Sequence, residues 1–285
     1  MPSLPDMNST DVEELAHRAA ERQGPHDHHL HDEELKPAFF EWLCRLGDTT
    51  LVLGHRISEW CGHAPVLEED IALANVALDL IGHTQMWLGL AGEVEGKGRS
   101  ADELAFRRDA MDFRSLLLAE KPNGDIGFTL TRQFLFDAYH VALLRALTDS
   151  SSVRVSEIAA KALKEASYHL DRSSDLIIRL GDGTEESHRR VQKALDTLWT
   201  YANEMFVTDS VDEAVAEAGI APRPETLRAA WDSHVSAVLA EATLKRPDND
   251  FARTGGRNGE RHSEHLGHLL AEMQFLQRAY PDASW

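Results

Sequence analysis

Cysteine, aromatics, positive charge and long apolar runs are all scarce in this 285-residue chain. Its two cysteines, Cys44 and Cys61, are too few for a disulfide framework and form no C-x-x-C, so a reducing compartment is the expectation. No uncharged apolar run approaches the roughly 18 residues that a membrane span requires. Met1 to Gly24 also lacks the basic start and apolar middle of a signal peptide. Lys and Arg number 29 against 48 Asp and Glu, a formal charge of −19. Nucleic acid and anionic membrane are thereby excluded as main partners, because their phosphates are repelled before contact. The sequence predicts a soluble, cytoplasmic protein whose partners are proteins or small molecules. Strand alternation, hairpin signals and short repeats are missing too, which leaves an all-α chain.

What is present divides into a tail and a helical body. Residues 1–34 carry nine acids against two bases and no aromatic residue, and read as a disordered acidic, His-rich extension with a short helix at Thr10–Arg22. Its His26-Asp27-His28-His29-Leu30-His31 cluster suits loose divalent-metal binding or, more simply, a solvated polar tail. Residues 35–285 read as one helical domain. Pro37 opens a helix over about 37–61, and Phe40, Leu43, Leu46, Leu53 and Ile57 recur along it at helical spacing. Further helices fall at about 66–92, 101–107, 126–148, 153–180 and 185–206, with shorter ones at 211–218, 225–243 and 263–279. Four helices of about 23–28 residues span roughly 35–42 Å each, the dimensions of a ferritin-like four-helix bundle with additional C-terminal helices.

Di-iron bundles take one carboxylate from each of two helices and a carboxylate-x-x-His pair from each of the other two. With turns near residues 63 and 151, Asp48, Asp79, Asp137 and Glu165 stand at similar depths along the four long helices. The imidazoles do not follow. Gly82 and Tyr168 occupy the i+3 positions after Asp79 and Glu165, and only Asp137-Ala138-Tyr139-His140 keeps the pair. His83 and His169 sit at i+4, rotated about 100° from i+3. The favoured reading is a vestigial site, Asp48, Asp79, Asp137, His140 and Glu165, that has no metal. Buried acids then require protonation or a cation, and at least one of Lys161, Lys164, His140 or Arg132 is the expected replacement for the metal charge.

Several motifs occur together and in order. They are Leu46-Gly47-Asp48, Ser58-Glu59-Trp60-Cys61-Gly62-His63-Ala64-Pro65, Ala72-Leu73-Ala74-Asn75, Ala105-Phe106-Arg107-Arg108-Asp109, Pro122-Asn123-Gly124, Lys164-Glu165-Ala166-Ser167-Tyr168-His169-Leu170 and Glu264-His265-Leu266-Gly267. Over about residue 40 to the C-terminus, the chain resembles the C-subunit family of the multicomponent phenylacetyl-CoA epoxidases. That resemblance implies a ferritin-like, non-catalytic subunit that stabilises a di-iron catalytic A subunit. It implies no cofactor in this subunit, with di-iron in the partner, and FAD, an iron–sulfur cluster and NADPH in a reductase. It also implies a hetero-oligomer, or a homodimer when alone, and acyl-CoA close to Asp112, Phe113, Arg114, Ser115 and Glu213, Ala214, Val215. His83 departs from the family, which carries an amide there, so weak metal binding through His83 or His169 stays open.

Two segments relieve the negative charge and could meet the phosphates of a coenzyme A: residues 96–115, with a net +1, and residues 245–261, with a net +2. Trp42, Trp60, Trp87, Trp199 and Trp231 are candidates for partner anchors or for core. His262, His265 and His268 drift around their helix and read as helix-start and packing residues. The competing functions are a di-metal carboxylate oxidase active in its own right and a stand-alone acyl-CoA-binding module.

Overall fold

The computed structural model describes His29, residues 32–281 and Ala283. Among the described residues there is no strand. The helices run α1 (Lys36–Ser58), α2 (Leu67–Glu95), α3 (Ala101–Phe106), α4 (Leu117–Glu120), α5 (Ile126–Leu147), α6 (Val153–Gly181), α7 (Glu185–Ala202), α8 (Ser210–Glu217), α9 (Arg228–Glu241), α10 (Glu264–Met273) and α11 (Phe275–Ala279). Three single 3-10 turns lie at Ala110–Asp112, Asn203–Phe206 and Pro224–Leu227. The four long helices expected from periodicity are α1, α2, α5 and α6. The helix expected over 10–22 lies outside the described residues, as does most of the histidine cluster. Within that cluster His29 is buried, its Nε2 3.0 Å from Ser151 Oγ. Residues 35–285 divide into two compact units, one built on Gly124–Arg253 and the other on the chain up to Asn123 with the segment from Thr254 onward.

In the unit of α1 to α4, α10 and α11, the helices α1 and α2 form an antiparallel pair. Thr50 Oγ1 and Thr84 Oγ1 are 2.8 Å apart, and Gly47 faces Leu88. Gly47 permits this approach, since a Cβ there would lie 2.5 Å from Leu88 Cδ2. Pro37 sits in the first turn of α1, where its missing N–H costs nothing. Between the helices, Asp70 accepts the Gly62 and Ala64 N–H groups at 2.8 and 3.2 Å, which fixes the turn the sequence marks with Gly and Pro. Gly96 closes α2 in the left-handed region at φ 71°. Beyond α3, whose Ser100–Glu103 capping box opens it, the chain runs through the 3-10 turn and an extended Phe113 into α4. The C-terminal segment returns to this region. Gln274 Nε2 donates to the Ala105 and Arg108 carbonyls at 3.0 Å each, and Arg56 Nη2 donates to the His265 carbonyl at 3.0 Å.

In the unit of α5 to α9, α6, α7 and α9 pack around α5, which is buried along nearly all its length. Asp125 caps α5 through the Phe128 N–H at 2.8 Å, and Ser152 caps α6. Trp231 of α9 donates its indole N–H to the Leu135 carbonyl at 2.9 Å and packs on Trp199 and Phe206, with ring centroids 5.3 and 5.2 Å away. Trp42, Trp87, Trp199 and Trp231 are all core residues, each contributing on the order of 1.5–3 kcal/mol through burial. Trp60 is half-buried in the α1–α2 turn.

Candidate functional site

The acids expected from the sequence meet different environments. Asp48 and Asp137 are buried, whereas Asp79 and Glu165 are partly exposed. Asp48, in mid α1, is closed by Arg108. Nη1 donates to Oδ2 at 3.0 Å, Nη2 donates to Oδ1, and the Arg114 N–H adds a third bond to Oδ2 at 2.8 Å. Arg108 is itself held by the Leu104 carbonyl through Nε at 2.5 Å and lies 4.6 Å from the Phe113 ring centroid. Burial would lower its pKa, but the Asp48 carboxylate overrides this and raises it. At Asp48 the cation is Arg108, a residue outside the expected set of Lys161, Lys164, His140 and Arg132. Lys161 and Lys164 are exposed on α6, and Arg132 is fully buried in α5. The cation comes instead from 60 residues downstream.

Asp137 has no guanidinium bonded to it. Burial raises its pKa to about 6, against smaller lowering contributions from His169, Ser173 and Gln133. Gln133 Nε2 donates to Oδ1 at 3.1 Å, and Oδ2 accepts no hydrogen bond. His140, the one retained imidazole, stacks on Phe136 at 4.9 Å. His83 and His169 are buried. A ligating carboxylate needs lone pairs directed at the ion, and Arg108 donates to both Asp48 oxygens. Among the described residues no three His, Cys, Asp or Glu side chains group as ligands would.

The residues expected near acyl-CoA separate by exposure. Phe113, Ser115 and Val215 are fully buried and offer no surface to a ligand, while Asp112 is exposed and Arg114 half-exposed. Glu213 is tied to Arg223 at 2.7 Å, and Ala214 is half-buried. Asp112 and Arg114 belong to a cleft of about 500 Å³ between the start of α1, the end of α2 and the 108–114 segment. Five cationic side chains line it, Lys36, Lys97, Arg99, Arg108 and Arg114, against Glu41, Glu95 and Asp112. In a chain of charge −19 this is a local reversal of sign. Arg99 forks onto Glu95 at 2.5 and 2.7 Å and lies 5.8 Å from the Phe40 ring centroid. That hydrogen bond, with Lys97 at 3.1 Å, lowers the pKa of Glu95. Cys44 also lines the cleft, its thiol pushed up to about 12 by burial and then by Asp48. Charge counting along 96–115 signals this cleft, but nothing local in the sequence signals that Arg108 turns inward to Asp48.

Each unit is thus built on a pair of long helices, and in the first of them a buried acid is closed by arginine. The chain matches the family described as "Phenylacetic acid catabolic protein" over residues 23–285. It belongs to that family, whose fold is a ferritin-like helical bundle. It is 50% identical over 244 residues to the C subunit of the 1,2-phenylacetyl-CoA epoxidase of Escherichia coli (strain K12), a match covering 86% of this chain and 98% of that protein. No described helix is long and apolar enough to cross a membrane.

Proposed function

We propose that this chain is the non-catalytic structural subunit of a phenylacetyl-CoA epoxidase assembly, stabilising a di-iron catalytic A subunit in phenylacetate breakdown. Half-identity over nearly the whole of the Escherichia coli relative supports the assembly. The observation that carries the non-catalytic part is Asp48, whose lone pairs Arg108 and the Arg114 N–H engage. In this reading iron, FAD, iron–sulfur cluster and NADPH belong to other subunits, and the chain acts in a cytoplasmic hetero-oligomer.

The test is co-purification with the di-iron subunit, followed by iron analysis and phenylacetyl-CoA consumption with the reductase present. The isolated chain should hold no stoichiometric iron and turn nothing over, while its addition raises the stability and activity of the catalytic partner. Stoichiometric iron in the isolated chain, or turnover without the partner, would favour the di-metal oxidase instead.

A second reading is supported by the cleft: its cations suit the phosphates of an acyl-CoA, approached through Arg114, Lys97 and Lys36. Most of these cations already have acidic partners, so binding by the isolated chain should be weak. Calorimetric titration with coenzyme A, wild type against Arg114→Ala, tests it. Equal heats for the two proteins would remove the cleft from consideration.

A further inference from the structure

Helices α2 and α6 each have 29 residues, yet they turn different faces to water. α6 exposes Glu157, Lys161, Lys164, Asp171, Asp175 and Arg179, charges of both signs as on a solvated helix. α2 presents Leu67, Ile71, Leu78, Gly82, Gln85 and Gly89, a line without charge in which Leu67 and Leu78 are 70% and 69% exposed and Ile71 54%. At 100° and 1.5 Å per residue this line turns by about 40° over about 33 Å, so it forms one nearly straight seam.

Two glycines sharpen the contrast. Gly47, Gly54 and Gly92 of the same helical pair have close neighbours inside the chain: a Cβ would lie 2.5 Å from Leu88 at the first, 3.2 Å from Ile81 at the second, and strike the Arg99 carbonyl at the third. A Cβ on Gly82 or Gly89 would meet nothing within 4 Å. Glycine weakens a helix interior relative to alanine, and no close approach among the described residues offsets that here. Both positions lie on the uncharged seam, where they leave the backbone open to something outside the chain.

The charges beside the seam select what can lie on it. All those of α2 are acidic: Glu68, Glu69 and Asp70 in the first turn, Asp79 midway, and Glu93 and Glu95 at the end. Two copies of this helix laid side by side, in either direction, set acid against acid at both ends. Lys97, just past the end, is already bonded to Glu95. A helix with lysine or arginine along the edges of an apolar stripe is complementary instead. We propose that the outward face of α2 is the docking surface for such a partner helix, packed lengthwise with side chains in the depressions at Gly82 and Gly89. The inference rests on the reading above, in which that helix belongs to the di-iron catalytic subunit.

Sedimentation velocity on the co-purified complex through a dilution series tests it, with the isolated full chain run alongside. Leu78→Lys should raise the dissociation constant about a hundredfold and leave the unfolding temperature of the isolated chain unmoved, since Leu78 is exposed. Gly82→Leu should weaken the complex at least about tenfold while making the isolated chain more stable, because leucine is the better helix former. Glu68→Lys should weaken it about threefold at low salt and leave it unchanged at high salt. Wild-type affinity in both Leu78→Lys and Gly82→Leu overturns the α2 face and leaves the subunit reading standing. Failure of the wild-type chain to bind the catalytic subunit removes that reading and this inference with it. An isolated chain that forms a dimer dissociated by Leu78→Lys assigns the face to a second copy and likewise overturns the proposal.

Discussion

Asp48 and Asp137 are the two fully buried acids that the sequence assigned to a vestigial metal site, one in each unit, and they are neutralised in opposite ways. Asp48 receives a guanidinium as a two-pronged partner. Asp137 has an amide donor and no bonded guanidinium, and its pKa rises to about 6 by burial. A buried carboxylate can shed a metal either by acquiring a fixed cation or by moving its own protonation toward neutrality. The first route makes the site depend on a distant residue, and the second makes it depend on pH.

The largest effect should follow from removing the fixed cation. Arg108→Ala takes the guanidinium away from the buried Asp48, and urea denaturation should show a loss of about 3–5 kcal/mol. Adding Asp48→Asn and using Met in place of Ala at 108 should recover most of that loss, because an uncharged pair of similar volume carries no desolvation penalty. A double variant as unstable as Arg108→Ala would break the comparison.

Asp137 should behave in the reverse sense. Its folded pKa lies above the ordinary value of 3.8, so the folded state binds the extra proton and stability is greatest at low pH. That contribution is lost as pH rises from about 4 through about 6, a change on the order of 3 kcal/mol for a shift of about two units. Asp137→Asn should abolish this part of the pH profile while leaving the response to Arg108→Ala unchanged. Gln133→Leu removes one donor from the same carboxylate and should cost about 1 kcal/mol, more at pH 8 than at pH 5. Arg190→Ala, which breaks an exposed ion pair with Glu186, should leave the unfolding midpoint unmoved.

Periodicity and chain breakers were enough to find the long helices. Pro37 and the Gly62–Pro65 stretch act locally, and each does in three dimensions what its residue type suggests, whereas the second helix runs past the expected end at 92 to Glu95. The acids were also legible, since their depth follows from counting along helices. Their partners were not. Helical spacing points to cations beside Glu165, Lys161 one turn before it and Lys164 adjacent, whose side chains are exposed. Arg108 lies beyond a loop, and its inward turn depends on the Leu104 carbonyl and the Phe113 ring, contacts that no helical spacing encodes. Phe113, whose segment the family resemblance sets near acyl-CoA, is itself core, and the strap from Thr254 onward lies against it.

The unequal exposure of the two cysteines gives the native chain a single point of chemical attachment. Cys44 is buried and held as a thiol far above neutral pH, whereas Cys61 stands exposed in the α1–α2 turn. Because the thiolate is the reactive species, a maleimide at neutral pH modifies Cys61 alone. A fluorophore placed there sits one residue from Trp60. Its emission and quenching therefore follow that end of the helical pair in the natural sequence, without any engineered cysteine.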